Sequence, residues 1–234
     1  VGFTQPEVAG VRASVVTVDL NSAFISVRPV RAWEGYATFA QMVRRERPVA
    51  AINGTFFDPG SATILGHLVW DGRLLQGGIF RHALAIDRNF QALLLSGPEA
   101  DWSRYLFALS AGPVLVRDGV ARVDPWAEGF SDPRLLRPAR RSAAGITARN
   151  KLLLVTVSRP ITLSHLARVM AGLGARQAIN LDGGGSSALY YQGRFITRPT
   201  RKMTNLIVVH YRPAPLTRVE LAEEADRPPQ AGKP

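Results

Sequence analysis

Short apolar runs separated by two-residue turn sequences recur along this chain, and they constrain it to a sheet-rich fold. Leu68–Trp70 and Arg73–Leu75 flank Asp71-Gly72, a pair suited to the positive φ angles of a tight hairpin turn. Arg88-Asn89 separates Ala83–Asp87 from Gln91–Leu95 in the same way. Arg149-Asn150 lies between Ser142–Thr147 and Lys151–Val157, and Gln192-Gly193 between Ala188–Tyr191 and Arg194–Ile196. Asn21-Ser22 predicts a first hairpin joining Ala13–Asp19 to Phe24–Pro29. Val49–Ile52, Phe107–Ser110, Val114–Arg117, Ala178–Leu181 and Leu206–Tyr211 read as further strands, with a turn at Asp118-Gly119.

Two stretches carry helical spacing instead. Tyr36–Glu46 places Phe39, Met42 and Val43 on one face, and Pro48 ends it. Leu163–Leu173 aligns Leu166, Val169, Met170 and Leu173 behind Thr162, a good N-cap. Asp124–Pro138 has three prolines and no clean period, so it reads as an irregular loop. The expected fold is α+β: a mixed, largely antiparallel sheet with hairpins and two main helices packed on it. It is expected to span residues 1–212. Residues 213–234 hold five prolines and the acidic pair Glu223-Glu224, and they predict a disordered tail with at most a short helix over Val219–Ala225.

Composition narrows the chemistry. The chain has 29 Lys+Arg against 18 Asp+Glu, a net charge of +11, but only three of the basic residues are lysines. The cations are scattered, and no RRM, KH, helix-turn-helix or zinc-finger pattern is present, so nucleic acid is not the expected partner. There is no cysteine, which excludes a disulfide framework, thiolate metal ligation and a thiol nucleophile. No run of 18 apolar residues occurs, so no transmembrane segment is expected. The start at Val1 is read as processing or trimming. Between Asp132 and Glu220 the only carboxylate is Asp182, among thirteen arginines and two lysines.

Three segments can carry chemistry. In Asn180–Ser187 an apolar strand delivers Asp182 to its end, followed by Gly183, Gly184, Gly185, Ser186 and Ser187. Glycines let backbone amides approach an anion or a sugar closely, and their conformational cost argues against an ordinary turn. In Ala51–Asp58 another strand ends at Asn53, whose amide both donates and accepts; Gly54 and Thr55 follow. Read alone, this segment is equally a turn with Phe56-Phe57 in the core. In Arg140–Gly145, Arg141 immediately precedes a strand and can act as a fixed clamp for phosphate, although an arginine pair is more often a solvated edge. His67, His82, His165 and His210 have no metal-ligand spacing and read as surface or packed histidines. Gly184–Ala188 approximates a nucleophile elbow around Ser186, which leaves a serine hydrolase using His210 as an alternative.

These segments occur together and in this order in one family. The sequence resembles the phosphodiester glycosidases over roughly Val49–Val209, through Asn53–Phe57, Gly112–Gly119, Arg141–Gly145, Leu173-Gly174, Asn180–Ser187 and Arg201–Asn205. The resemblance implies a hydrolase that releases a sugar from a phosphate diester and leaves a phosphomonoester. It implies Asp182, Arg141 and Asn53 as catalytic residues. Substrate contacts would come from Gly183, Gly184, Gly185, Ser186, Ser187, Thr55, Arg201 and Asn205. In this scheme Arg141, with Arg201 and the Gly183–Gly185 amides, binds phosphate, while Asn53, Ser186 and Asn205 orient the substrate. Asp58, Asp87 and Asp118 are the candidates for a second carboxylate. No cofactor is expected, with a divalent cation such as Ca or Mg held on Asp182 and Asn53 as an alternative. The expected partner is a phosphorylated carbohydrate or glycan, and the expected location is extracytoplasmic, as for bacterial members. A non-catalytic glycan- or phosphate-binding module is the remaining rival.

Overall fold

The computed structural model describes residues 1–97 and 101–211. The tail expected over 213–234, with its short helix, lies outside the described residues, so the domain division rests on the sequence.

Three main sheets surround one apolar core. A seven-stranded sheet runs in the spatial order Gly2–Thr4, Ser14–Asp19, Lys151–Ile161, Ala139–Thr147, Ala175–Asn180, Val114–Arg117 and Val120–Ala121. A five-stranded sheet has the order Ala92–Ser96, His82–Asp87, Tyr105–Ala111, Leu68–Trp70 and Arg73–Gln76. The other five-stranded sheet is ordered Arg194–Thr197, Leu189–Tyr191, Ala50–Asn53, Asn205–Tyr211 and Ile25–Arg31. Every pairing among these described strands is antiparallel, so the expected mixed sheet is corrected to three antiparallel ones.

Several strands are buried on both faces, because helices cover what the core does not. Leu152 and Leu154 point into the central core with Ile52, Leu84, Phe107 and Ile207. Leu153 and Val155, on the other face, pack under the helix Leu163–Gly172 through Leu166, Val169 and Met170. Thr162 caps that helix by accepting the His165 amide. The helix Phe39–Glu46 covers the outer face of the sheet containing Ala50–Asn53, with Phe39, Met42 and Val43 against Ala51, Leu206 and Val208. Thr38 and Gln41 form a reciprocal capping box at its start.

The hairpin turns lie where the sequence places them. Asp71 and Gly72, and Gln192 and Gly193, take positive φ at both positions. The first hairpin is a correction. Ser14–Asp19 pairs with Lys151–Ile161, whereas Ile25–Arg31 pairs with Asn205–Tyr211 in another sheet. The loop expected over Asp124–Pro138 contains a one-turn helix, Pro133–Leu136, capped by Asp132.

Asn53, Asn180 and Asn205 all stand at strand ends on one side of the molecule, where two sheets meet. Asn53 pairs next to Leu206, and Asn180 pairs with Ala143, two residues from Arg141.

Candidate active site

Asp182 is the centre of this junction. It follows the strand Ala175–Asn180, and its backbone is fixed on both sides. Its amide donates to the Gly54 carbonyl at 3.1 Å, and its own carbonyl accepts from Asn53 Nδ2 at 2.6 Å. Asn53 Oδ1 in turn accepts from Ser142 Oγ at 2.8 Å and from the Ala188 amide at 3.0 Å. One buried side chain thus ties together the segments around residues 53, 142, 182 and 188. Its amide is fully used inside the protein, so Asn53 positions Asp182 and does not reach a sugar hydroxyl.

Asn205 does the same for Thr55. Its Oδ1 accepts the Thr55 amide at 2.8 Å, and its Nδ2 donates to the Thr55 carbonyl at 3.1 Å. Gly54 makes this approach possible: a Cβ there would stand 1.9 Å from Asn205 Oδ1. The Thr55 and Ser187 hydroxyls are buried and have no partner among the described residues. They are the hydroxyls in the predicted set with capacity left.

The carboxylate of Asp182 is only 7% exposed with its residue. Burial pushes its pKa up, while Arg201 and Ser186 pull the other way by favouring the ionised form. Arg201 Nη2 donates to Oδ2 at 2.7 Å, and Arg201 Nε donates to Ser186 Oγ at 2.6 Å. The Arg201 guanidinium also lies 4.7 Å from the centre of the Phe57 ring, and its side chain is 40% exposed. It therefore meets both the buried carboxylate and solvent.

Arg141 is held more tightly. The residue is 2% exposed and has no carboxylate partner among the described residues. Its Nε donates to the Ile161 carbonyl at 3.0 Å, and Nη2 donates to the carbonyls of Leu135 and Arg137 at 2.8 and 2.6 Å. Nη1 remains beside Gly183, 3.9 Å from where a Cβ on that glycine would sit. Burial pushes the pKa of Arg141 down to about 10, so it still carries its charge at neutral pH. The loop that supplies Leu135 and Arg137 is the one read from sequence as irregular.

The glycine run folds as a short turn, Gly184–Ser186, with Gly184 at φ 58°. The expected row of three free amides is corrected. Gly183 donates to Asp182 Oδ1 at 2.9 Å, which leaves Gly184 and Gly185 as the amides without a partner among the described residues. One guanidinium thus pairs with a single buried carboxylate, and a second guanidinium and two amides belong to the segments next to it in the chain or against it in space. That arrangement can bind an anion next to an acid–base or charge-stabilising group.

The three candidates for a second carboxylate are turn residues. Asp58 accepts the Gly60 amide, Asp87 accepts the amides of Asn89 and Gln91, and Asp118 pairs with Arg176 on the surface. His210 bonds the Glu46 carbonyl, five residues along the last strand from Asn205, or about 16 Å at ordinary strand rise. A Ser186 nucleophile has no base from that histidine. Among the described residues no group of three His, Asp or Glu side chains is placed to hold a metal. Two features were absent from the sequence reading. Phe56, Phe80 and Phe130 pack together at 5.1–6.1 Å between ring centres, and Glu128 is partly buried near Gly112. Neither has a local motif that would have revealed it.

The family model for phosphodiester glycosidases matches residues 46–210. The chain belongs to the phosphodiester glycosidase family. The catalytic domain of zebrafish N-acetylglucosamine-1-phosphodiester alpha-N-acetylglucosaminidase, auto-inhibited by its pro-peptide, superposes with a TM-score of 0.71 at 21% identity, over 90% of this chain and 82% of that one. A hypothetical protein from Synechocystis gives a TM-score of 0.78 at 19% identity, over 90% of this chain; this chain spans 62% of that protein's length. An exported protein from Burkholderia pseudomallei gives 0.60 at 16% identity, over 85% of this chain and 74% of that one. At these identities the likeness shows a shared fold. No curated protein matches the chain. Membership supports a glycosidase-type hydrolase acting on phosphodiesters at the level of the family.

Proposed function

We propose that this protein hydrolyses a sugar–phosphate diester at the bond between the anomeric carbon and the phosphate oxygen. The observation that carries this reading is Asp182, one buried carboxylate paired with the half-exposed guanidinium of Arg201, with the fixed guanidinium of Arg141 beside the adjacent Gly183. The phosphate would lie against Arg141 Nη1, Arg201 and the amides of Gly184 and Gly185, and the sugar against Asp182. The bond pair leaves with the phosphate oxygen, water adds to the anomeric carbon, and one water proton is released. The leaving phosphomonoester is already an anion, so cations stabilise it without a strong general acid. Asp182 then stabilises positive charge on the sugar ring or accepts the water proton. Asn53 and Asn205 act by positioning, Ser186 holds Arg201 beside Asp182, and the hydroxyls of Thr55 and Ser187 complete the contacts.

The substrate is proposed to be a phosphorylated glycan. The location is proposed to be extracytoplasmic, in keeping with the exported Burkholderia neighbour. No helix among the described residues is long and apolar enough to cross a membrane.

A screen of sugar-1-phosphodiesters with product identification tests the reaction. Turnover that survives EDTA is expected, and loss with EDTA would favour the cation-assisted alternative. Asp182→Asn and Arg141→Ala are expected to lower turnover at least about 1,000-fold while remaining folded. Wild-type turnover in either variant would reject the assignment. Binding without turnover in the parent protein would favour the binding module.

A further inference from the structure

A cationic cavity lies where His82 and Glu128 meet the segment Ala111–Val114. It has a volume of about 470 Å³, and its lining includes Arg81, His82, Arg117, Arg122, Asp124 and Glu128. The acids in it are already held by backbone. Glu128 accepts the Val114 amide at 3.1 Å through both oxygens, and Asp124 accepts the Ala127 amide at 3.1 Å. The cations are not. Arg81, Arg117 and Arg122 make no ion pair among the described residues. Arg117 hydrogen-bonds the His82 ring, 3.3 Å from Nε2, that ring stands 3.6 Å from Glu128, and the Arg117 charge also acts on Glu128 without a direct ion pair. Burial, and then Arg117 and Arg81, push the His82 pKa below the ordinary imidazole value, which favours the uncharged ring beside those arginines.

The cavity is connected to the reaction centre through backbone. Gly112 donates to the Asn180 carbonyl, two residues before Asp182, and its neighbour Ala111 pairs with His82. Gly112 and Ala111 thus join Asn180 to His82 on the cavity wall through two neighbouring backbone pairings. Phe130 and Glu128 both close over Gly112, where an added Cβ would come within 2.9 Å of the Phe130 ring and 3.4 Å of Glu128 Oε2. Phe80, adjacent to Arg81, stacks on Phe130 at 5.1 Å. An apolar wall thus runs from one site toward the other.

We propose that this cavity receives a second phosphate, carried by the aglycone beyond the phosphate whose bond is broken. The inference rests on the proposed reaction and specifies its substrate as a glycoside with at least two phosphates along its length. Three arginines line this one cavity, and guanidiniums suit the several oxygens of a phosphate.

The test compares two sugar-1-phosphodiesters that differ only in whether the aglycone ends in a second phosphate, at each of several spacer lengths. The parent protein should show a KM at least about 10-fold lower for the compound with two phosphates. The double variant Arg117→Ala/Arg122→Ala should lose that preference and keep kcat and KM for the other compound. Equal KM values in the parent protein, or an unchanged preference in the variant, would overturn the proposal. If neither compound is turned over, calorimetric titration with inorganic phosphate separates the two ideas. Loss of a phosphate site in the double variant, with its retention in Arg201→Ala, would keep the cavity and reject the reaction. Identical titrations for parent and double variant would reject the cavity.

Discussion

Burial and pairing act in opposite directions on Asp182, and the balance has a measurable sign. Its pKa is raised in the fold, chiefly by desolvation, so the native state binds the proton more tightly than the unfolded chain. The group therefore imposes no cost below the ordinary carboxylate range. As pH rises through the unfolded value of about 4 toward the folded one, ionisation draws stability away, and the full cost is present above both. Asp182→Asn removes this titration. Its melting temperature relative to the parent protein is expected to rise between about pH 3 and pH 7, even as activity disappears. Thermal scans across that range check this, and a variant less stable at pH 7 than at pH 3, relative to parent, contradicts it. The site carboxylate is thus held against the interest of the fold, as is common for groups selected for chemistry.

Local elements respond to substitution according to what their residues touch. Gly54→Ala would drive a methyl group into the Asn205 amide, 1.9 Å away, and loosen Thr55 with it. We expect a destabilisation of about 2 kcal/mol or more, and reduced turnover. Thr38→Ala removes one capping box on the outer helix, costs about 1 kcal/mol and leaves turnover unchanged. Denaturant titration and kinetics on the pair check both outcomes. The same distinction explains what could be read from the sequence. Hairpins at Asp71-Gly72 and Gln192-Gly193 were legible because φ > 0 at a two-residue turn is a local demand. The Asn21-Ser22 turn gave the same signal, yet its flanking strands pair with residues more than a hundred positions away. The placing of Asp182 just beyond a strand end is legible from its motif, as is the position of Asn53. The function of Asn53 as an internal tie is not, because an amide that can serve a sugar can equally serve Ser142 and Ala188. The carbonyls of Leu135 and Arg137 that fix Arg141 come from a stretch with no period to read.

At the scale of the whole molecule, the strand Asn205–Tyr211 lies between Ala50–Asn53 and Ile25–Arg31. A chain ending at residue 212 is expected to keep one cooperative unfolding transition and its turnover, in line with the proposed domain limit. A chain ending at residue 204 is expected to lose both, since two strands from the first half would then lack their shared neighbour. Far-ultraviolet circular dichroism and activity on the two truncations decide this. The same arrangement sets an order of events on the ribosome. Among the described residues Ile25–Arg31 has Asn205–Tyr211 as its only sheet neighbour, and the chain between residues 31 and 205 must be made before that neighbour exists. At ordinary elongation rates this leaves an apolar strand unpaired for on the order of 10–30 s in every nascent copy. A demand on chaperones follows from a single strand's place in the sheet.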